Sequence, residues 1–83
     1  METIIIELIV PASNERFDFV LPAASKVDVI IQEMIRLLEA KGQNIAFAHA
    51  TTQLCDIETA QVLDPGIALA QQGIRDGSQL MLV

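Results

Sequence analysis

A run of apolar side chains between residues 27 and 38 constrains this chain more than any other feature. Val27, Ile30, Ile31, Met34, Ile35 and Leu38 recur at the i, i+3, i+4, i+7, i+8, i+11 spacing, which stacks them into one stripe of an α-helix. Gln32, Glu33, Arg36 and Glu39 take the opposite side, and Leu37 widens the stripe on one flank. Ser25 reads as the N-cap, its hydroxyl placed to accept an orphan backbone N–H, and Asp28 meets the positive end of the helix dipole. Lys41 is favourable near the last carbonyls, and Gly42 takes the left-handed conformation after a helix without steric penalty. A helix is therefore expected from Ser25 to Gly42. So apolar a stripe has to be buried, and the sequence around it reads as strands.

Thr3–Val10 is β-branched and apolar, which favours a strand. Because Glu7 belongs in water, the inward set is Ile4, Ile6, Leu8 and Val10, and Ile5 and Ile9 share the outer face with Glu7. Pro11 to Glu15 is turn chemistry, long enough for a hairpin loop. Arg16–Leu21 alternates, with Phe17, Phe19 and Leu21 on one face and Arg16, Asp18 and Val20 on the other, and Pro22 ends the strand. After the helix, Gln43–Thr52 holds Ile45 and Phe47 at strand spacing, diluted by Ala, His and Thr; an anchored loop and a short edge strand both fit. Leu54–Thr59 is a strand candidate with Cys55 and Ile57 on one face and Leu54, Asp56 and Glu58 on the other, and its pattern leaves open which face is inside. Gln61–Leu63 is a further extended piece ended by Asp64-Pro65-Gly66. Ile67, Leu69 and Ile74 are apolar anchors along a connection with room for one helical turn. Asp76-Gly77 makes a tight turn, and Gln79–Val83 is a last strand with Leu80 and Leu82 on one side, Met81 and Val83 on the other.

At 83 residues the chain is expected to be one domain, 1–83, with a core built from aliphatic residues: 52% of it is apolar and 4% aromatic. A net charge of −6, with only 5 scattered lysines and arginines, disfavours nucleic acid and anionic membrane as partners, because both require clustered cations. The single cysteine, Cys55, rules out an intramolecular disulfide and any cluster held by several thiolates, and points to a reducing compartment. Ile4–Val10 is too short to span a bilayer, is interrupted by Glu7 and lacks a basic leader, so a cytoplasmic, unprocessed protein is expected.

The order ββαββ, with a possible additional short strand, makes a hairpin whose apolar face is crossed by the helix. A final strand lying beside the first would be parallel to it through a right-handed crossover. This is the β-grasp architecture of the α+β class, a mixed four- to five-stranded sheet wrapped on one helix. Its C-terminal stretch LDPGIALAQQGIRDGSQLMLV, Leu63–Val83, resembles the ubiquitin-like pattern of a strand-ending Leu, a mid-loop Leu, an Ile, a turn and alternating Leu. Within that superfamily the chain is most similar to the small YukD/EsaB proteins associated with bacterial type VII secretion. They share the turn seen here as Gly73-Ile74-Arg75-Asp76-Gly77-Ser78-Gln79-Leu80. The resemblance implies a non-catalytic, protein-binding adaptor, an accessory or regulatory part of a type VII secretion system. Its partner would be the cytoplasmic part of a secretion ATPase or of a membrane channel subunit.

The chemistry of individual residues points the same way. His49 has no marked partner to make it a general base, and Cys55 has no base or oxyanion loop beside it in the sequence. Asp56, Glu58 and Asp64 lack the alternating spacing of a calcium loop and read as a solvated acidic rim. Gly66, Gly73 and Gly77 are turn glycines rather than a phosphate cradle. No enzyme activity, cofactor, metal or small-molecule substrate is expected. The alternative is a ubiquitin-like modifier or sulfur carrier, disfavoured because those require a reactive Gly-Gly tail where this sequence has Leu80-Met81-Leu82-Val83. Ile5, Ile9, Met81 and Val83, with Ile57, are the expected protein-binding residues, since alternation turns them away from the helix and neighbouring first and last strands would make them contiguous.

Overall fold

The hairpin forms as its alternation requires: β1 (Thr3–Val10) and β2 (Glu15–Pro22) pair antiparallel from Thr3 opposite Pro22 to Val10 opposite Glu15. Asn14 turns the hairpin at φ 55, a left-handed conformation that asparagine tolerates better than most residues. The computed structural model describes residues 2–11, 13–42 and 52–83. After the hairpin come α1 (Val27–Ala40), β3 (Leu54–Asp56), β4 (Gln61–Val62), a single 3-10 turn at Ala70–Gln72 and β5 (Gln79–Leu82). The sheet order is β2-β1-β5-β3-β4. β5 lies parallel to β1, and the other pairings are antiparallel. This is the expected β-grasp: a mixed five-stranded sheet with one α-helix across it.

The helix stripe is the centre of the core. Val27, Ile30, Ile31, Met34, Ile35 and Leu38 are all buried, and they meet Ile4, Ile6, Leu8, Val10, Leu54, Leu80 and Leu82 from the sheet. Phe19 and Leu21 of β2 join the core, whereas Phe17 is only partly buried near the sheet edge, where the Lys41 ammonium sits 5.4 Å above its ring. Gly42 takes φ 80 and donates its N–H to the Glu39 carbonyl, so the C-terminal end of α1 closes locally as expected.

The N-terminal end does not. The cap is Lys26 rather than Ser25, and it makes no side-chain cap bond. Two orphan donors instead reach a distant loop: Val27 N–H donates to the Ile67 carbonyl at 3.1 Å, and Asp28 N–H to the Pro65 carbonyl at 3.0 Å. An isolated bridge between Lys26 and Ala68 extends the contact. The loop is held in shape by Gln72, whose Oε1 accepts from Asp64 N–H and whose Nε2 donates to the carbonyls of Asp64 and Ile67. Main-chain carbonyls supply what a serine hydroxyl was expected to supply. One consequence is that Ile67, expected as an apolar anchor, is exposed while Leu69 and Ile74 are buried.

β3 is shorter than the strand expected over Leu54–Thr59, because the chain turns at Ile57 to Ala60 before β4. The structure settles its facing: Leu54 and Asp56 point in. Asp56 is therefore not part of a solvated rim but only 7% exposed. Its Oδ1 accepts the Glu58 N–H at 3.1 Å, so the buried carboxylate ends the strand by bonding the turn that follows. The open question over Gln43–Thr52 falls on residues 43–51, outside the described residues, as does His49; Thr52 itself is in no element.

Candidate functional site

Antiparallel partners directly opposite one another share a face, and so do the partners of a parallel pair. The outward side chains of the sheet can thus be arranged in rows from the register alone. Arg16 lies opposite Ile9, Ile9 beside Met81, Met81 opposite Cys55, and Cys55 opposite Val62. One transverse row, Arg16–Ile9–Met81–Cys55–Val62, crosses every strand and is apolar beyond its arginine. Cys55 belongs to this row as a small, half-buried side chain with a free thiol. Val62 closes it at the sheet edge, 55% exposed.

The next row is polar. Asp18 lies opposite Glu7, and Glu7 beside Gln79. Gln79 Nε2 donates to Glu7 Oε1 at 2.9 Å, and Arg16 Nη1 approaches the same oxygen at 3.5 Å. Past that belt, Ile5 lies opposite Val20, and the pair is 54% and 64% exposed. Ile5 is anchored by its main chain: its N–H donates to Asp76 Oδ1 and its carbonyl accepts from Gly77 N–H, both at 2.8 Å. The Asp76-Gly77 turn, with Gly77 at φ 88, thereby completes β1 where β5 has not yet begun.

Of the expected binding residues, the structure brings Ile9 and Met81 together in the apolar row. Val83 continues the outward side of β5 beyond it, 49% exposed, with its N–H and carbonyl paired to Gln53. Ile57 sits in the turn after β3, half-buried, its N–H donated to the Gln79 carbonyl. Ile5 stands apart, separated from Ile9 by the Glu7 belt. Sequence reasoning missed Cys55 and Val62 as members of the row. Alternation alone left the facing of β3 undecided, and the two-residue β4 offered no alternation to read.

Elsewhere, a cleft of about 240 Å³ opens between α1 and the β3–β4 side of the sheet, lined by Ile31, Leu63 and Pro65 with Asp28, Gln32 and Gln53. Its carboxylate is committed locally, Asp28 Oδ1 accepting Val29 N–H at 2.7 Å, and its other polar side chains are the Gln32 and Gln53 amides and the Thr52 hydroxyl. On the solvent side of α1, the Arg36 guanidinium pairs with Glu33 one turn away, and that hydrogen bond holds the Glu33 carboxyl below its ordinary pKa. Among the described residues no group of three or more His, Cys, Asp or Glu side chains is placed to hold a metal ion. Nor is any helix of the described residues long and apolar enough to cross a membrane. The apolar row of the outer sheet face is the candidate site.

Solved structures of several kinds share this fold. The ubiquitin-like domain of EccD5 from Mycobacterium xenopi superposes with a TM-score of 0.77 at 21% identity, covering 100% of this chain and 94% of that one. The ubiquitin-like domain of the Mycobacterium tuberculosis type VII secretion protein EccD1 gives 0.74 at 24%, covering 100% and 99%. A chain of the toluene 4-monooxygenase HD complex gives 0.80 at only 7% identity, covering 99% and 98%. Such likenesses speak to the fold, which hosts unrelated functions. No curated protein matches the sequence. The family is decided by sequence: residues 4–82 match the model for protein YukD of the WXG100 protein secretion system. That match runs from the first core residue of β1 to the last of β5, and the chain belongs to the YukD family.

Proposed function

We propose that this chain is a non-catalytic adaptor of a type VII secretion system, working in the cytoplasm and docking onto a larger secretion protein through the outer face of its sheet. The observation that carries the proposal is the apolar row Ile9–Met81–Cys55–Val62 lying in register across four strands, on a chain whose family is tied to WXG100 secretion. Contiguous exposed apolar area on a small protein marks a contact surface more often than scattered residues do. Val83 and Ile57 flank that row, and Ile5 with Val20 supplies a second, smaller apolar pair on the same face. A chain of the ESX-5 inner membrane complex carries a domain of the same fold, at 18% identity and a TM-score of 0.79, covering 100% of this chain and 21% of that one. A membrane channel subunit or the cytoplasmic part of a secretion ATPase is accordingly the partner this reading favours.

The test is co-purification of the full chain with the membrane components of the secretion system from its native cell. Met81→Glu is expected to leave the melting curve near the parent's and to abolish co-purification, because a carboxylate pressed into an apolar contact is costly if it stays charged and unpaired. Full retention of binding by this variant, at unchanged stability, would overturn the proposal.

A further inference from the structure

The outward positions of the strands carry three charged side chains, Arg16, Glu7 and Asp18, and the register sets the two acids directly opposite each other. Like charges opposed across an antiparallel pair are destabilising. Arg16 reaches only Glu7, at 3.5 Å, and Asp18 has no hydrogen-bond or ion-pair partner among the described residues. The whole chain adds to this field with a net charge of −6. Two carboxylates facing a single guanidinium thus leave an excess negative charge bordering the apolar row on one side, where a partner covering the row would also meet it.

We infer that the docking partner is a protein surface bearing an arginine or lysine that sits between Glu7 and Asp18, beside an apolar strip that covers Ile9, Met81, Cys55 and Val62. This rests on the outer-face docking proposed above and adds the partner's chemistry to it. The incoming cation relieves the repulsion within the pair and orients the partner along the row. Carboxylates flanking an apolar core select a basic partner over an acidic one and speed its encounter. A second copy of this chain is a poor occupant, since it would bring the same acids and the same net charge to the contact.

Two measurements test the inference. In the first, the isotope-labelled full chain is titrated with a short peptide of alternating leucine and arginine, and with a leucine–glutamate peptide of equal length. The arginine peptide is expected to shift the amides of Glu7, Ile9, Asp18, Cys55 and Met81 and to lose affinity roughly tenfold on going from low to high salt. Equal binding of the two peptides, or shifts elsewhere, overturns it.

In the second, Met81→Glu, Val62→Glu, Asp18→Lys and, as a control on the exposed side of α1 away from the sheet, Val29→Glu are compared for co-purification with the secretion membrane components. Loss with the first three and retention with Val29→Glu is the expected pattern. Retention by Asp18→Lys alongside loss with Met81→Glu and Val62→Glu overturns the cationic partner but leaves the docking face standing. Retention by all four overturns the docking face itself. A concentration-dependent doubling of mass that Met81→Glu abolishes overturns the inference in favour of a second copy.

Discussion

Leu80 and Met81 are neighbours on β5, yet they belong to surfaces made by different rules. Leu80 points inward with Ile4, Ile6, Leu8 and Leu82 against the helix stripe, and all are buried. Met81 points outward between Ile9 and Cys55, half-exposed, in a row bordered by carboxylates. Inside, the requirement is volume and apolarity, and any strand with the right alternation meets it. Outside, each residue's meaning depends on which residue of the next strand lies beside it. The inner face is a property of single strands. The outer face is a property of their register.

The sharpest way to break that comparison is to truncate residues on both sides of the sheet. Leu80→Ala and Met34→Ala should each cost ~2–5 kcal/mol of unfolding free energy by urea titration, through lost transfer energy and the cavity left behind. Met81→Ala should cost under ~1 kcal/mol, since most surface substitutions are mild. Equal losses at Leu80 and Met81 would show that the outer row is core after all, covered in the free chain.

The end of the inner face is sealed by the loop that caps α1, and Gln72 holds that loop. Gln72→Ala takes the side-chain partner from Asp64 N–H and from two carbonyls, all within reach of water, and should cost about 0.5–1.5 kcal/mol. Ser25→Ala should stay within about 0.5 kcal/mol of the parent, because the helix draws no side-chain cap bond there. A larger loss at Ser25 than at Gln72 would restore the local cap.

An effect of similar size belongs to the turn that sets Val62 at the end of the row. Ala60 holds φ 58, a conformation that glycine adopts freely and alanine only under strain. Ala60→Gly should therefore raise stability by about 1 kcal/mol in the same titration. A loss instead would mean that alanine's restriction of the unfolded chain outweighs the strain.

The smallest shift is expected on the outer face. Asp18→Lys replaces a like-charge cross-strand pair with an opposite one and should raise unfolding free energy by ~0.2–1 kcal/mol while weakening docking. Stability rising as function falls would set the outer face apart from the inner one, where both fall together. A variant that loses stability would show that the acids are held for the fold.

The sequence by itself determined the helix stripe to the residue, the facing of β1, β2 and β5, the C-terminal closure at Gly42 and the β-grasp order. Each of these rests on a period or a residue preference that neighbours in the chain express together. Only the tertiary structure decided the rest. The cap of α1 is written in the carbonyls of Pro65 and Ile67, far along the chain and available to any residue type, so no side chain near Ser25 could announce it. Asp56 is inside because it shares a face with Leu54 and bonds the Glu58 N–H, a pairing that overrides its charge. The candidate row was half legible: Ile9 and Met81 follow from alternation, as does the Glu7 that sets Ile5 apart, while Cys55 and Val62 join them only when β5 slides into parallel register between β1 and β3 and β4 pairs with β3. Alternation is carried by each strand alone, whereas register is fixed by how all the strands close around one helix.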